Sequence, residues 1–241
     1  MEGRSQYQGP FRNRVADHSP VWRATSSWER VLAPHLGTRW RLDRLTINYR
    51  TPAEIMAVAA DVLAEIDDKL EVPTSVRETG TVPWRQQVTE AGLAAEVAGA
   101  AAAEAAGMTD GNVAVLVPTA RLAEVSRAVA ARQPGRASGT ESGSPNGHGP
   151  GPADRESAAD GADASAADGP DLDDQVVVLT VSQAKGLEFD SVLIADPAQI
   201  LAESPHGLSD LYIALSRATQ RLGVLHLGPL PDMLHRLAPR P

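Results

Sequence analysis

The sequence predicts an α/β domain built on a mainly parallel sheet, and three observations carry that reading. Apolar runs at Val113–Val117, Val176–Val181 and Val192–Ala195 are continuous rather than alternating, as in strands buried on both faces. Stretches with helical spacing lie among them, clearest at Ile55, Val58, Val62 and Ile66. Strands and helices therefore alternate along the chain, the order that crossover connections between parallel strands require.

Taken in order, Leu45, Ile47 and Tyr49 alternate as in a strand. Thr51-Pro52-Ala53-Glu54 predicts a helix start, with Thr51 as cap, Pro52 at the first helical position and Glu54 completing a capping box. Pro73 to Trp84 reads as loop. A second helix is expected over Val88–Ala106, a strand at Val113–Val117 and a third helix near Arg121–Ala131. Beyond the two later strands, a helix is expected near Ser209–Thr219 and a final strand near Gly223–Leu227.

From Gln133 to Asp171 there is no Val, Ile, Leu, Met or aromatic residue. Such a segment buries too little apolar surface to offset the entropy of ordering, which predicts a disordered linker over 133–172. That linker interrupts one domain, with its first part at 26–132 and its second at 173–241; residues 1–25 form an irregular N-terminal segment.

Composition excludes several classes. Of the 241 residues 42% are hydrophobic, enough for a packed core, and the absence of cysteine excludes disulfides and thiolate metal sites. The six histidines never fall at HExxH spacing, so no metal is expected. The net charge of −9 removes the simple electrostatic argument for nucleic-acid binding, although residues 1–50 carry nine arginines against four acids. The first residues lack the apolar run of a secretory signal, and Ala91–Met108 is mostly alanine with Glu96 and Glu104 inside it, a helix rather than a membrane span. A soluble cytoplasmic protein is expected.

The chemistry begins with an absence. A phosphate-binding Walker A loop ends in Gly-Lys-Ser/Thr, because the lysine must reach the phosphates and the hydroxyl must hold magnesium. No Gly-Lys pair occurs here, nor a GxGxxG after a strand, nor a GxSxG elbow. This chain holds no complete nucleotide-hydrolysing site of its own. Three segments nevertheless concentrate polar residues at element ends. In Leu45–Pro52, Arg50 stands where a strand gives way to a helix, an edge at which open α/β sheets bind ligands. In Thr180–Asp190, charged residues crowd between two apolar strands around Gly186. In and just beyond Ser209–Thr219, Leu211, Leu215, Ala218 and Leu222 are expected to share a helical face, and Arg217, about 200° around the helix from Leu215, to point away from it.

These segments contain NYR at Asn48–Arg50, AKGLEF at Ala184–Phe189 and YIALSRA at Tyr212–Ala218. In this order they resemble motifs IV, V and VI of superfamily-one helicases of the UvrD, Rep and PcrA type. The strings SVRETG and VVVLTVSQAKGLEFDSVLIADP look closest to the HelD-type branch, whose members act on bacterial RNA polymerase. The resemblance implies a RecA-like three-layer fold. It implies that Arg50 and Arg217 are catalytic arginines reaching the γ-phosphate, and that Gly186 and Glu188 lie near the ribose and cleft. Thr180, Ser182 and Lys185 would face nucleic acid. Arginine fingers of this kind stabilise transition-state charge, worth roughly 10³–10⁵ in rate.

The family's first RecA-like domain, with the phosphate loop and magnesium-binding acids, has no counterpart here. ATP and Mg2+ are therefore expected only with a complementing phosphate-loop chain or domain, and DNA or RNA polymerase, or both, as the larger partner. Two other readings stay open. One is a non-catalytic module that docks on RNA polymerase or nucleic acid; the other is a truncated gene remnant.

Overall fold

The computed structural model describes residues 34–37, 46–67, 70–133 and 174–241. Their centre is a six-stranded sheet in which every neighbouring pair is parallel. Its strands are β3 (Trp84–Gln87), β4 (Val113–Val117), β5 (Val176–Thr180), β6 (Phe189–Ala195), β7 (Ala218–His226) and β8 (Ala238–Pro239). They lie in the order β5-β4-β6-β7-β3-β8. A separate two-stranded parallel sheet joins β1 (Ile47–Asn48) to β2 (Thr74–Ser75). The α/β, mainly parallel, three-layer class expected of a RecA-like domain is the one observed.

The winding follows from which face each connection covers. Helices α1 (Ala53–Ile66), α4 (Pro197–Glu203) and α5 (Gly207–Ser216) pack on one face through Ile55, Val62, Ile200, Leu211 and Leu215. Helices α2 (Leu93–Ala106) and α3 (Leu122–Ala130) pack on the other through Leu93, Val97, Val125 and Val129. Alternate residues of each strand serve the two layers: Ala114 and Leu116 of β4 join the first cluster, Val113, Val115 and Val117 the second. All five residues of β4 are buried, which is why its sequence reads as an unbroken apolar run.

The chain departs from sequence expectation in places that have physical causes. The first helix starts at Ala53, with Pro52 as its cap residue and no side-chain cap bond. Asn48 does the local work instead, its Oδ1 accepting from the backbone N–H of Arg50 (2.9 Å) and of Thr51 (3.2 Å). Glu54 reaches away from its helix and accepts from the N–H groups of Thr79 (3.1 Å) and Gly80 (2.6 Å). The stretch expected as loop thus holds β2 and the start of β3. The second helix is preceded by a 3-10 turn at Glu90–Gly92 and begins at Leu93. The last helix ends at Ser216 rather than Thr219, because Phe189 N–H donates to the Arg217 carbonyl and draws the following residues into a nine-residue strand.

Two further elements were not expected. Helix α4 follows Asp196, which adopts a left-handed backbone (φ 52°) and accepts from Gln199 N–H at 3.3 Å. β8 places Arg240 over the Trp84 ring at 4.7 Å. The linker expected at 133–172 and the N-terminal segment at 1–25 lie outside the described residues, apart from Gln133, whose Nε2 donates to the Val176 carbonyl at 3.1 Å. The chain thus leaves α3 beside the point where it enters β5.

Gly223 of β7 shows how tightly the sheet is covered. A Cβ there would lie 2.3 Å from the Trp84 indole. Gly223→Val is expected to destabilise the fold by about 1–3 kcal/mol, measured from the urea midpoint. Glu54 offers a test by pH. Its own backbone N–H, and beyond the opposing effect of burial those of Gly80 and Thr79, hold its carboxyl below the ordinary range. The stability this contributes is present above the unfolded-state value and lost as pH falls through the lowered folded value. Glu54→Gln should be less stable than the parent at neutral pH. The difference should close as pH falls through the lowered folded-state value of Glu54 in chemical denaturation.

Candidate functional site

The residues singled out in the sequence gather along one connection, Val181–Glu188, between β5 and β6. Both strands flank β4 and run parallel, so this segment starts at the carboxyl end of β5 and must finish at the amino end of β6. It crosses on the face that carries α5, anchored by Val181 and Ala184 in that core and by Leu187 packed against it. Successive turn bonds, Ala184 N–H to Thr180 and Leu187 N–H to Ala184, keep it compact. Gly186 takes φ +86°, a conformation L side chains rarely adopt.

Helix α5 runs alongside the crossover and pairs with it at two levels. Near its start, Asp210 lies 3.6 Å from Lys185 Nζ. Past its end, Arg217 Nη1 donates to the Leu187 carbonyl at 3.1 Å, while Nε donates to Ile213 O at 3.3 Å and Nη2 to Ser216 Oγ at 3.2 Å. Arg217, expected to point away from the apolar face of the helix, is not among the residues of that core. It stands just beyond the helix, half-buried, with its guanidinium folded against backbone carbonyls.

Arg50 comes to the same place from a distant part of the chain. Its Nη1 is paired with Glu188 Oε1. Glu188 also favours the charged form of Arg217, which burial, the largest influence, and nearby Arg50 both oppose. Guanidinium groups do not deprotonate in proteins, so the cluster holds two positive charges against the one carboxylate of Glu188. It is a surface that favours an anion.

The location differs from expectation in one respect. β1 pairs only with β2, so Arg50 is not on an edge of the main sheet. Glu188 directly precedes β6 and Arg217 directly precedes β7, so the arginine cluster sits at the amino ends of these strands, not at a carboxyl edge. Thr180 stands at the opposite, carboxyl end of β5. Its N–H and Oγ1 both donate to Gln183 Oε1, at 2.9 and 3.1 Å, and Ser182 beside it is exposed. The two groups of residues within one motif therefore lie at opposite ends of the sheet, with Lys185 and Gly186 between them.

Two contributors escaped sequence reasoning. Asn48 fixes the Arg50 turn; Asn before a turn is a known signal that could have found it. Tyr49, next to Arg50, is 70% exposed, and Ile47 and Val76, in or just after the strands of the small sheet, are exposed apolar residues as well. Among the described residues, no group of three or more His, Cys, Asp or Glu side chains could hold a metal ion, and no helix is long and apolar enough to cross a membrane.

No curated protein matches the chain. Among solved structures it is similar to the C-terminal domain of a possible DNA helicase from Lactobacillus plantarum WCFS1, at 19% identity over 79% of this chain and 94% of that one, with a TM-score of 0.48. Residues 175–225 match the family model described as the UvrD-like helicase C-terminal domain. Over those residues, which contain the crossover, Glu188 and Arg217, this chain is similar to a UvrD-like helicase C-terminal domain.

Proposed function

We propose that this chain supplies the arginine-bearing half of an ATP-driven helicase or translocase, its phosphate loop provided by another domain or chain. The observation that carries the proposal is the meeting of Arg50 and Arg217 around Glu188, although 138 positions separate Arg50 from that carboxylate. In this reading Arg50 and Arg217 face the γ-phosphate across an interdomain cleft, and the transition state is stabilised electrostatically. Glu188 and Gly186 border the ribose, Thr180 and Ser182 meet nucleic acid at the far end of the crossover, and Lys185 meets it from the middle. Exposed Tyr49 offers a stacking surface next to Arg50.

A triphosphate fits the cluster's surplus of positive charge. When bound it brings the scissile phosphoanhydride, and this chain's residues orient it and neutralise charge. Magnesium is a different matter: the carboxylate at the cluster is engaged with Arg50, so the phosphate-loop partner would hold the metal. A cytoplasmic location accompanies this reading. The HelD-type branch, with bacterial RNA polymerase as partner, is the finer form of the proposal and draws its support from the SVRETG and AKGLEF strings.

A second reading has its own observation. Three donors of Arg217 are committed to groups of this chain, as they would be in a module that kept the fold for docking and lost the chemistry. Steady-state phosphate release separates the two. The pure chain should release no phosphate from ATP, and a complementing phosphate-loop domain should restore turnover. Arg217→Ala should then lower that turnover by about 10³-fold or more. Turnover by the pure chain, or a restored rate indifferent to Arg217→Ala, contradicts the proposal. Retention of RNA polymerase by the Arg50→Ala, Arg217→Ala double variant without any restorable turnover favours the docking module.

A further inference from the structure

The Arg50–Glu188 pair is an obstacle to phosphate as well as part of its site. A carboxylate and a phosphate oxygen are alternative acceptors for the same guanidinium fork. Whatever binds Arg50 must compete with Glu188. We infer that Glu188 is an internal anion that holds Arg50 in place of phosphate, so that a polyphosphate gains Arg50 only by displacing it. This inference rests on the reading of the cluster as a phosphate site.

The two arginines are held very differently. Arg217 is half-buried and tied to the carbonyls of Ile213 and Leu187, so it is a fixed charge. Arg50 is 73% exposed along its side chain, and its bonded partner is Glu188, itself 33% exposed. An ion pair this accessible to water is weak and exchanges readily. The backbone need not move for the exchange. Phe189 N–H is bonded to the Arg217 carbonyl at 3.0 Å, and the Arg50 turn is pinned by Asn48 Oδ1. Only the Glu188 and Arg50 side chains have to rotate. In the resting state the carboxylate offsets one of two positive charges. Once displaced, it exposes both to the incoming anion, and the site becomes more attractive as it is occupied.

Inorganic tripolyphosphate is the probe, because it offers phosphate oxygens without ribose or base. Binding to the full chain is followed at low ionic strength by ³¹P line broadening. Glu188→Gln should bind about three- to tenfold more tightly than the parent, since it removes both the competitor and a negative charge. Arg50→Ala should bind more weakly. In the Arg50→Ala background, Glu188→Gln should recover little of its gain. Glu188→Ala serves the same purpose if the glutamine variant fails to fold. Binding that depends on Arg50 but is equal or weaker in the Glu188 variants would overturn the inference and leave the phosphate-site reading standing. Binding that ignores both Arg50 and Arg217 would overturn the two together.

Discussion

The segment Val181–Glu188 must carry the chain past β4 from the end of β5 to the start of β6 with no crossover helix. Two strand spacings take the chain about 10 Å sideways, and the five residues of β5 oblige it to return about 16 Å lengthwise. Eight residues can span that distance, but with little slack once six of them are in turns. Ala184, fully buried, pins the middle, and Gly186 absorbs the change of direction. Everything at the candidate site follows from this constraint. It lays the crossover along α5, which brings Lys185 to Asp210 and the Leu187 carbonyl to Arg217. It also delivers Glu188 to the sheet end where Arg50 arrives.

A consequence is division of labour within one short motif. Thr180 and Glu188 are close in sequence yet stand at opposite ends of the strands they adjoin. Between those ends the segment is held by Val181 and Ala184 in the core and by its turn bonds.

Much of the fold was legible in the sequence, for a specific reason. β4 is buried throughout, and β5 and β6 nearly so, and burial dictates their apolar composition. β3 was not legible because Trp-Arg-Gln-Gln is polar except for Trp84; its place is set by pairing with β7 and by the indole over Gly223, both long-range. The polar start of β7, Ala218–Arg221, imitates a continuing helix for the same reason. The capping box failed because Glu54 found better donors in a loop some 25 positions away. At the site, spacing alone left Arg50 and Arg217 as ordinary surface arginines. Their association came from the resemblance of ordered motifs, and Asn48, a turn-forming residue type just before Arg50, was the signal passed over.

The proposed site requires Arg50 and Arg217 to share one anion. A crystal structure of the chain grown with inorganic tripolyphosphate tests that most directly. The account predicts phosphate density in contact with both Arg50 and Arg217, with the Glu188 side chain turned away from Arg50. Phosphate seated elsewhere, with Arg50 still on Glu188 or lying out of common reach of Arg217, would contradict it.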